Sequence, residues 1–263
     1  MPTEPEYSTI LVSEDGPILT ITLNRPDHGN MFNVTMLREI HAALEESRRE
    51  THTRVIVLTG SGERFFCIGG EKDQLEDTLG YPGVLPVVDV YSMIERHPKP
   101  VIAAVNGYAV GGGNVLHVVC DLTIAKRSAV FRQVGPMMGS YDAGYGTWML
   151  EDLIGRKRAK EMWFLNEKIS ADRAYEIGLV NRVVDDEAFT DEVRAMALAV
   201  AERGSHALRA VKASLAARTG GVEGLSRVAN DLLMPYYLHT DEAQELSAAF
   251  RGKRTPDPER FNH

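Results

Sequence analysis

KPVIAAVNGYAVGGGN, residues 99–114, sets a continuous apolar run against three successive glycines, and VLHVVCDLTIA, residues 115–125, returns the chain to apolar sequence. After Lys99-Pro100, VIAAVNG predicts a strand. The residues after the glycines predict a helix, and LTIA predicts a further strand. Gly111, Gly112 and Gly113 leave backbone N–H groups uncovered by side chains at the edge of a core, where an anion can be received. GGGN has neither the spacing nor the following Lys-Ser/Thr of a P-loop, so a phosphate cradle is the weaker reading. About twenty-five residues further on, SYDAGYGT (Ser140 to Thr147) places one carboxylate, Asp142, among small residues that let a substrate approach. The two runs together suggest a backbone oxyanion hole facing an acid or base.

Working outward, STILVSED and ILTITLN flank Asp15-Gly16 and predict a β-hairpin that Arg25-Pro26 ends. Met36, Leu37, Ile40 and Leu44 are spaced as one helix face after Asn33, and VIVLTG (Val55 to Gly60) reads as a buried strand. Strand, helix and strand in succession imply a parallel crossover. A second such unit runs from a helix near Val87 to Glu95 through the triple glycine to LTIA. Beyond Gly155 the spacing is helical throughout, in RKRAKEMWFL, SADRAYEIG, DEVRAMALAVAER, ALRAVKASLAA and the segment to Phe250, which predicts an α-helical C-terminal third. The expected division is a core over residues 1–195, holding the site, and a helical region with its tail over 196–263. LEDTLGYPGVLP (residues 75–86) has the Gly and Pro content of a surface loop.

Composition narrows the partners. Lys and Arg total 29 against 37 Asp and Glu, a formal charge of −8, which argues against nucleic acid or an anionic membrane. Two cysteines, Cys67 and Cys120, and no spaced Cys/His cluster imply neither a disulfide framework nor a zinc site. MPTEPEYS is acidic without an apolar signal core, and no apolar run approaches the roughly 18 residues of a membrane span. A cytoplasmic protein is the expectation.

RFFCIGG (residues 64–70) ends in a second glycine pair, much as VNGYAV ends in the triple glycine. Two such turns at strand ends can each aim one N–H at a single oxygen, and each donor is worth roughly 3–4 kcal/mol to an oxyanionic transition state. LNRPDHGNMFN, FFCIGGEKD, KPVIAAVNGYAVGGGN, CDLTIA, GRKRAKEMWF and A-x-x-x-G-L-V-N (Ala174 to Asn181) resemble, along nearly the whole chain, the crotonase (enoyl-CoA hydratase/isomerase) superfamily. The resemblance implies an α/β fold, a spiral of β-β-α units with a C-terminal α-helical trimerisation region. It also implies an acyl-CoA thioester substrate, self-association as a homotrimer or dimer of trimers, and no metal or cofactor besides the substrate's coenzyme A. In that family two backbone N–H groups hold the thioester oxygen, and they map onto Gly70 and Gly112. CoA contacts map onto Arg25, His28, Ile68, Phe250 and Lys253, with His28-Gly29 standing where a Lys/Arg-containing pair is usual.

Hydratases of the family carry two glutamates at positions that hold Val115 and Gly135 here, and neither replacement can move a proton. FRQVGPMMGSYDAGYGT and NVLHVVCDLTIA resemble instead a narrower group, 1,4-dihydroxy-2-naphthoyl-CoA synthase and the ring-opening 2-ketocyclohexanecarboxyl-CoA hydrolase. That group's aspartate falls on Asp142, with Ser140 beside it, and its C-terminal tyrosine on Tyr237 or its neighbour Tyr236. PYYLHTDE has one residue more than the family pattern at this point. Gln133 and Val134 occupy the substrate-facing segment, where the synthase has Gln-Thr-Gly and in one class uses the Gln and Thr to hold bicarbonate. Val134 cannot donate that bond, and the acidic EKDQLEDTLGYPGVLP is nearer the hydrolase's loop. His117 and Trp163 are nearer the synthase. From bare sequence His117 also reads as a core histidine, and Lys253-Arg254 as a solvated basic end.

The resulting expectation is hydrolysis of a carbon–carbon bond in a cyclic β-keto acyl-CoA, with Asp142 as base, Tyr237 as proton donor, and Ser140 with Gln133 positioning ketone or water. Ring closure by Claisen condensation is the alternative. A non-catalytic binding or assembly subunit is a third reading.

Overall fold

The computed structural model describes residues 7–71, 85–138, 142, 144–227 and 237–261. The chain begins with the predicted hairpin, β1 (Ile10–Asp15) antiparallel to β2 (Ile18–Leu23), with Gly16 at φ 56° making the turn. Helix α1 (Val34–Arg49) is capped by Asn33, whose side chain accepts from the Met36 N–H at 2.8 Å. Its buried face is the one the spacing predicts, Met36, Leu37, Ile40 and Leu44. Strand β3 (Val55–Gly60) then pairs in parallel with β2.

From this point the chain repeats one move. It lays a strand in a first sheet, crosses a corner, and lays a second strand in another sheet before turning into a helix or loop. Strands β3 and β4 (Phe65–Cys67) precede α2 (Pro86–Arg96), β5 (Val101–Val105) and β6 (Tyr108–Val110) precede α3 (Gly112–Val118), and β7 (Leu122–Lys126) and β8 (Val130–Arg132) precede α4 (Gly135–Met138). The first sheet runs β1-β2-β3-β5-β7-β10, with β10 at Arg182–Val184, and the second β4-β6-β8-β9, with β9 at Ile169–Ser170. The expected strand VIAAVNG is β5, and the apolar YAV that follows it is a separate strand, β6, in the other sheet, beyond a corner at Asn106-Gly107. Gly107 is required there because a Cβ would stand 2.2 Å from the Arg64 carbonyl oxygen. Asn106 satisfies the corner's backbone, donating to Gly60 O at 2.9 Å and Gly62 O at 2.8 Å.

The β-β-α spiral inferred from resemblance is the observed fold, but the region after Gly155 is not purely helical. Between α5 (Trp148–Ile154), α6 (Arg156–Leu165) and α7 (Ala171–Glu176) lies β9 (Ile169–Ser170), antiparallel to β8. Strand β10 (Arg182–Val184) follows and extends the first sheet beside β7. Strands of two and three residues are too short to show a period of two. Val55, Val57, Ile102 and Ile124 on one face of the first sheet pack with Phe189 and Met196 of α8 (Phe189–Ala201). Ile56, Leu58, Ala103 and Val105 on the other face join Met36, Ile40 and Ile94 from α1 and α2. Burying each such large side chain stabilises the fold by about 1.5–3 kcal/mol.

The chain forms two compact units, Met1–Ser205 and His206–His263. In the second, α9 (Ser205–Arg227) and α10 (Asp241–Gly252) are helical as predicted. Thr240 caps α10 by accepting from Ala243 N–H, and buried Glu245 is met by the Arg254 guanidinium and the Asp257 N–H. No described helix is long and apolar enough to cross a membrane.

Candidate active site

Two glycine turns meet at the end of the second sheet. Phe32 forms a parallel bridge with Gly70, in which the Phe32 N–H donates to Gly69 O at 2.9 Å and Glu71 N–H donates to Phe32 O at 3.1 Å. In a parallel bridge the residue between those two partners directs its own N–H away from the neighbouring strand. Gly112 opens α3, where an N–H has no intrahelical acceptor. Among the described residues neither the Gly70 nor the Gly112 N–H has an acceptor. Both glycines are half-buried, whereas Gly69, Gly111 and Gly113 beside them are buried.

Why these positions are glycine is steric. A Cβ on Gly112 would stand 2.6 Å from Phe32 Cζ, and one on Gly70 would stand 3.1 Å from Phe32 Cε2, so both turns rest on one ring. A Cβ on Gly69 would lie 3.2 Å from the Gly112 nitrogen. The two N–H groups are thus brought together by close backbone approach and by the Phe32 ring behind them.

Asp142 lies on the same side. Gly112 and Val115 are one turn apart on one face of α3. A Cβ on Gly146 would meet Asp142 Cβ at 2.6 Å, Val115 Cγ2 at 3.1 Å and Trp163 Cζ2 at 3.3 Å. Trp163 is buried and donates its indole N–H to Gly146 O at 2.8 Å, pinning the turn that carries Asp142. Burial raises the Asp142 carboxyl above the ordinary 3.8. Val115 is fully buried on this face of α3, and a Cβ on Gly146 would meet both it and Asp142.

Sequence reasoning missed Tyr91. It is 2% exposed, comes from α2, and donates its hydroxyl to Gly112 O at 2.9 Å. Its ring meets Tyr145 edge-on with centroids 5.8 Å apart. Burial pushes its phenol well above 10, with smaller contributions from the charge of Asp142 and then of Cys67. Nothing in the local spacing of PVVDVYSMIER separates this tyrosine from the other core residues of an amphipathic helix.

The remaining candidates divide by position. Arg25 reaches the first turn, where Nη1 donates to Met31 O at 2.8 Å and Nη2 pairs with Glu71 Oε1 at 2.7 Å. His28 is 60% exposed and 4.0 Å from the same carboxylate, and Ile68 packs where a Cβ on Gly29 would stand, 2.6 Å from its Cδ1. These three therefore cluster beside Gly70. Val134 lies against Gly111, with its Cγ2 3.6 Å from where a Cβ would be. Gln133 is fully buried and its side-chain amide has no partner among the described residues. His117 is 1% exposed, with Nε2 3.1 Å from Asn114 Oδ1, Nδ1 3.3 Å from Thr123 Oγ1, and Phe131 edge-on at 4.9 Å. That is the environment of a core histidine, and burial lowers it to about 3.

Ser140, Tyr236 and most of the 75–86 loop lie outside the described residues. In the second unit Tyr237 is 42% exposed and donates to Glu242 Oε1 at 3.2 Å, a bond that raises its phenol above 10. Phe250 is 86% exposed, and Lys253 ends α10 in the left-handed region at φ 50°.

The family described as enoyl-CoA hydratase/isomerase matches residues 13–260. The chain is similar to enoyl-CoA hydratase subunit I of Geobacillus kaustophilus, at 32% identity over 96% of this chain and 98% of that one, with a TM-score of 0.76. It is similar also to an enoyl-CoA hydratase of Bacillus anthracis (32%, covering 95% and 98%, TM-score 0.73) and to one of Polaromonas sp. JS666 (30%, covering 94% and 98%, TM-score 0.76). The chain belongs to the enoyl-CoA hydratase/isomerase, or crotonase, superfamily of acyl-CoA enzymes.

Proposed function

We propose that the chain hydrolyses a carbon–carbon bond in a cyclic β-keto, or vinylogous, acyl-CoA, opening the ring through a thioester enolate. The observation that carries this reading is Asp142, a half-buried carboxyl with a raised proton affinity, on the face of α3 where Val115 replaces a hydratase glutamate. Ionised Asp142 takes a proton from water, and the hydroxide adds to the ring ketone carbon. The tetrahedral intermediate collapses, the bond to the α-carbon breaks, and its electron pair forms an enolate on the thioester. The N–H groups of Gly70 and Gly112 hold the enolate oxygen. Tyr237 or protonated Asp142 returns a proton to the α-carbon, and the new carboxyl ionises. Ser140 and Gln133 position ketone or water, with Val134 and Trp163 shaping the acyl pocket.

Arg25, His28 and Ile68 beside Gly70 suit contacts to CoA, as do Phe250 and Lys253 in the trimer. Met137, Met138, Trp148, Phe164 and Leu165 are each at least half exposed on α4 to α6. So much apolar surface suits a homotrimer or dimer of trimers. The chemistry needs no metal or redox cofactor, and a cytoplasmic location is consistent with it.

The test is turnover of 2-ketocyclohexanecarboxyl-CoA in oxygen-18 water. One labelled oxygen in the product carboxylate supports hydrolysis. Naphthoyl-CoA formation from o-succinylbenzoyl-CoA, without ring opening, would establish Claisen closure instead.

A further inference from the structure

We infer that Tyr91 is a positioning residue that anchors Gly112 through its carbonyl, fixing the residue whose N–H serves oxyanion binding, and ties it to the turn bearing Asp142. The inference rests on the reading of Gly70 and Gly112 as the thioester-oxygen donors.

Three successive glycines make the least constrained backbone available, and Gly111 sits at φ 55°, ψ −123°, which side chains rarely allow. An N–H in such a segment stabilises an oxyanion only if its direction is fixed before charge develops. Tyr91 supplies an anchor from outside the segment. Its helix, α2, is seated in the core by Val90, Met93 and Ile94, so the hydroxyl is held by a rigid element. Its bond to Gly112 O constrains the same residue whose N–H faces the site. Being 2% exposed, this hydroxyl does not share the bond with bulk solvent.

The same ring touches the other half of the site. Tyr145, three residues after Asp142, packs edge-on against Tyr91, and the Phe32 ring closes the remaining side of Gly112. Tyr91 therefore contacts the oxyanion turn through oxygen and the acid-bearing turn through carbon. Burial and the nearby Asp142 charge keep the phenol neutral, so it remains a donor while Asp142 is ionised.

The test uses a chromophoric thioester, dimethylaminocinnamoyl-CoA, whose absorbance moves to the red when its carbonyl is polarised. It needs no turnover and does not depend on the identity of the natural acyl group. Tyr91→Phe keeps the ring and removes the hydroxyl. It is expected to bind the probe within about threefold of the wild-type affinity while losing at least half of the red shift. Tyr91→Met, which fills the space without a donor, gives the same readout if the phenylalanine variant does not fold. A full wild-type shift in either variant overturns the inference. Absence of any shift in the wild-type protein overturns the oxyanion-hole reading itself, and this inference with it.

Discussion

Gly113 approaches Cys67 so closely that a Cβ on the glycine would stand 2.0 Å from the Cys67 carbonyl oxygen. Cys67 ends β4 just before the Gly69-Gly70 turn, and Gly113 follows Gly112, so this contact sets the spacing of the Gly70 and Gly112 N–H groups, the proposed oxyanion donors. Neither backbone has slack, because the neighbouring Phe66, Cys67 and Val115 are all fully buried. Gly113→Ala must therefore push the turns apart. Overpacking of this kind costs about 1–3 kcal/mol, occasionally more. The expected result is a lowered melting temperature and loss of most of the probe's red shift in the protein that still folds. A variant with wild-type stability and shift would show that the contact does not set the hole.

Much of the candidate site is legible in the sequence because its parts are local. The glycine turns and the carboxylate of Asp142 are each visible as residue types in order, as are Val115 and Gly135, neither of which titrates. The hairpin and α1 were legible for the same reason, since Asp15-Gly16 and the Asn33 cap act within a few residues. The corner at Asn106-Gly107 was not, because its reason is the Arg64 carbonyl some forty positions away. Strand β10 was hidden by its length, and Tyr91 by its ordinary place on a helix face. Gly146 read as one of the small residues that let a substrate approach Asp142, whereas its lack of a side chain admits Asp142, Val115 and Trp163 to one point.

Asp142→Asn separates activity from stability. Burial raises the folded carboxyl above 3.8, so the folded protein binds a proton that the unfolded chain has released. Stability from this group is present below the unfolded value and is lost as pH rises through the folded one. At neutral pH the ionised carboxylate is thus a cost to the fold, and the uncharged amide relieves it. The variant is expected to melt higher than wild type at pH 7 while losing at least about a hundredfold in turnover of the ring ketone substrate. In the wild-type protein the acid limb of kcat/KM should lie above pH 3.8, since activity needs the ionised form. Thermal melts and a pH–rate profile check both, and unchanged turnover in the variant would remove Asp142 as the base.

His117 gives the opposite sign. Its folded value of about 3 lies below the ordinary 6.5, because charging the ring would bury an unpaired cation between Asn114, Thr123 and Phe131. Between those values the unfolded chain binds a proton that the folded protein refuses. Stability is therefore complete above about pH 6.5 and declines as pH falls, by about 1.4 kcal/mol per pH unit from this one group. His117→Gln retains an amide donor toward Asn114 but has no titrating proton. Urea unfolding of both proteins at pH 7, 6 and 5 isolates the difference, since the other titrating groups are common to the pair. The variant is expected to be less stable at pH 7 and to lose less stability on acidification. Parallel curves would mean that His117 titrates freely in the folded state, and so would contradict its place as a sealed core histidine on α3.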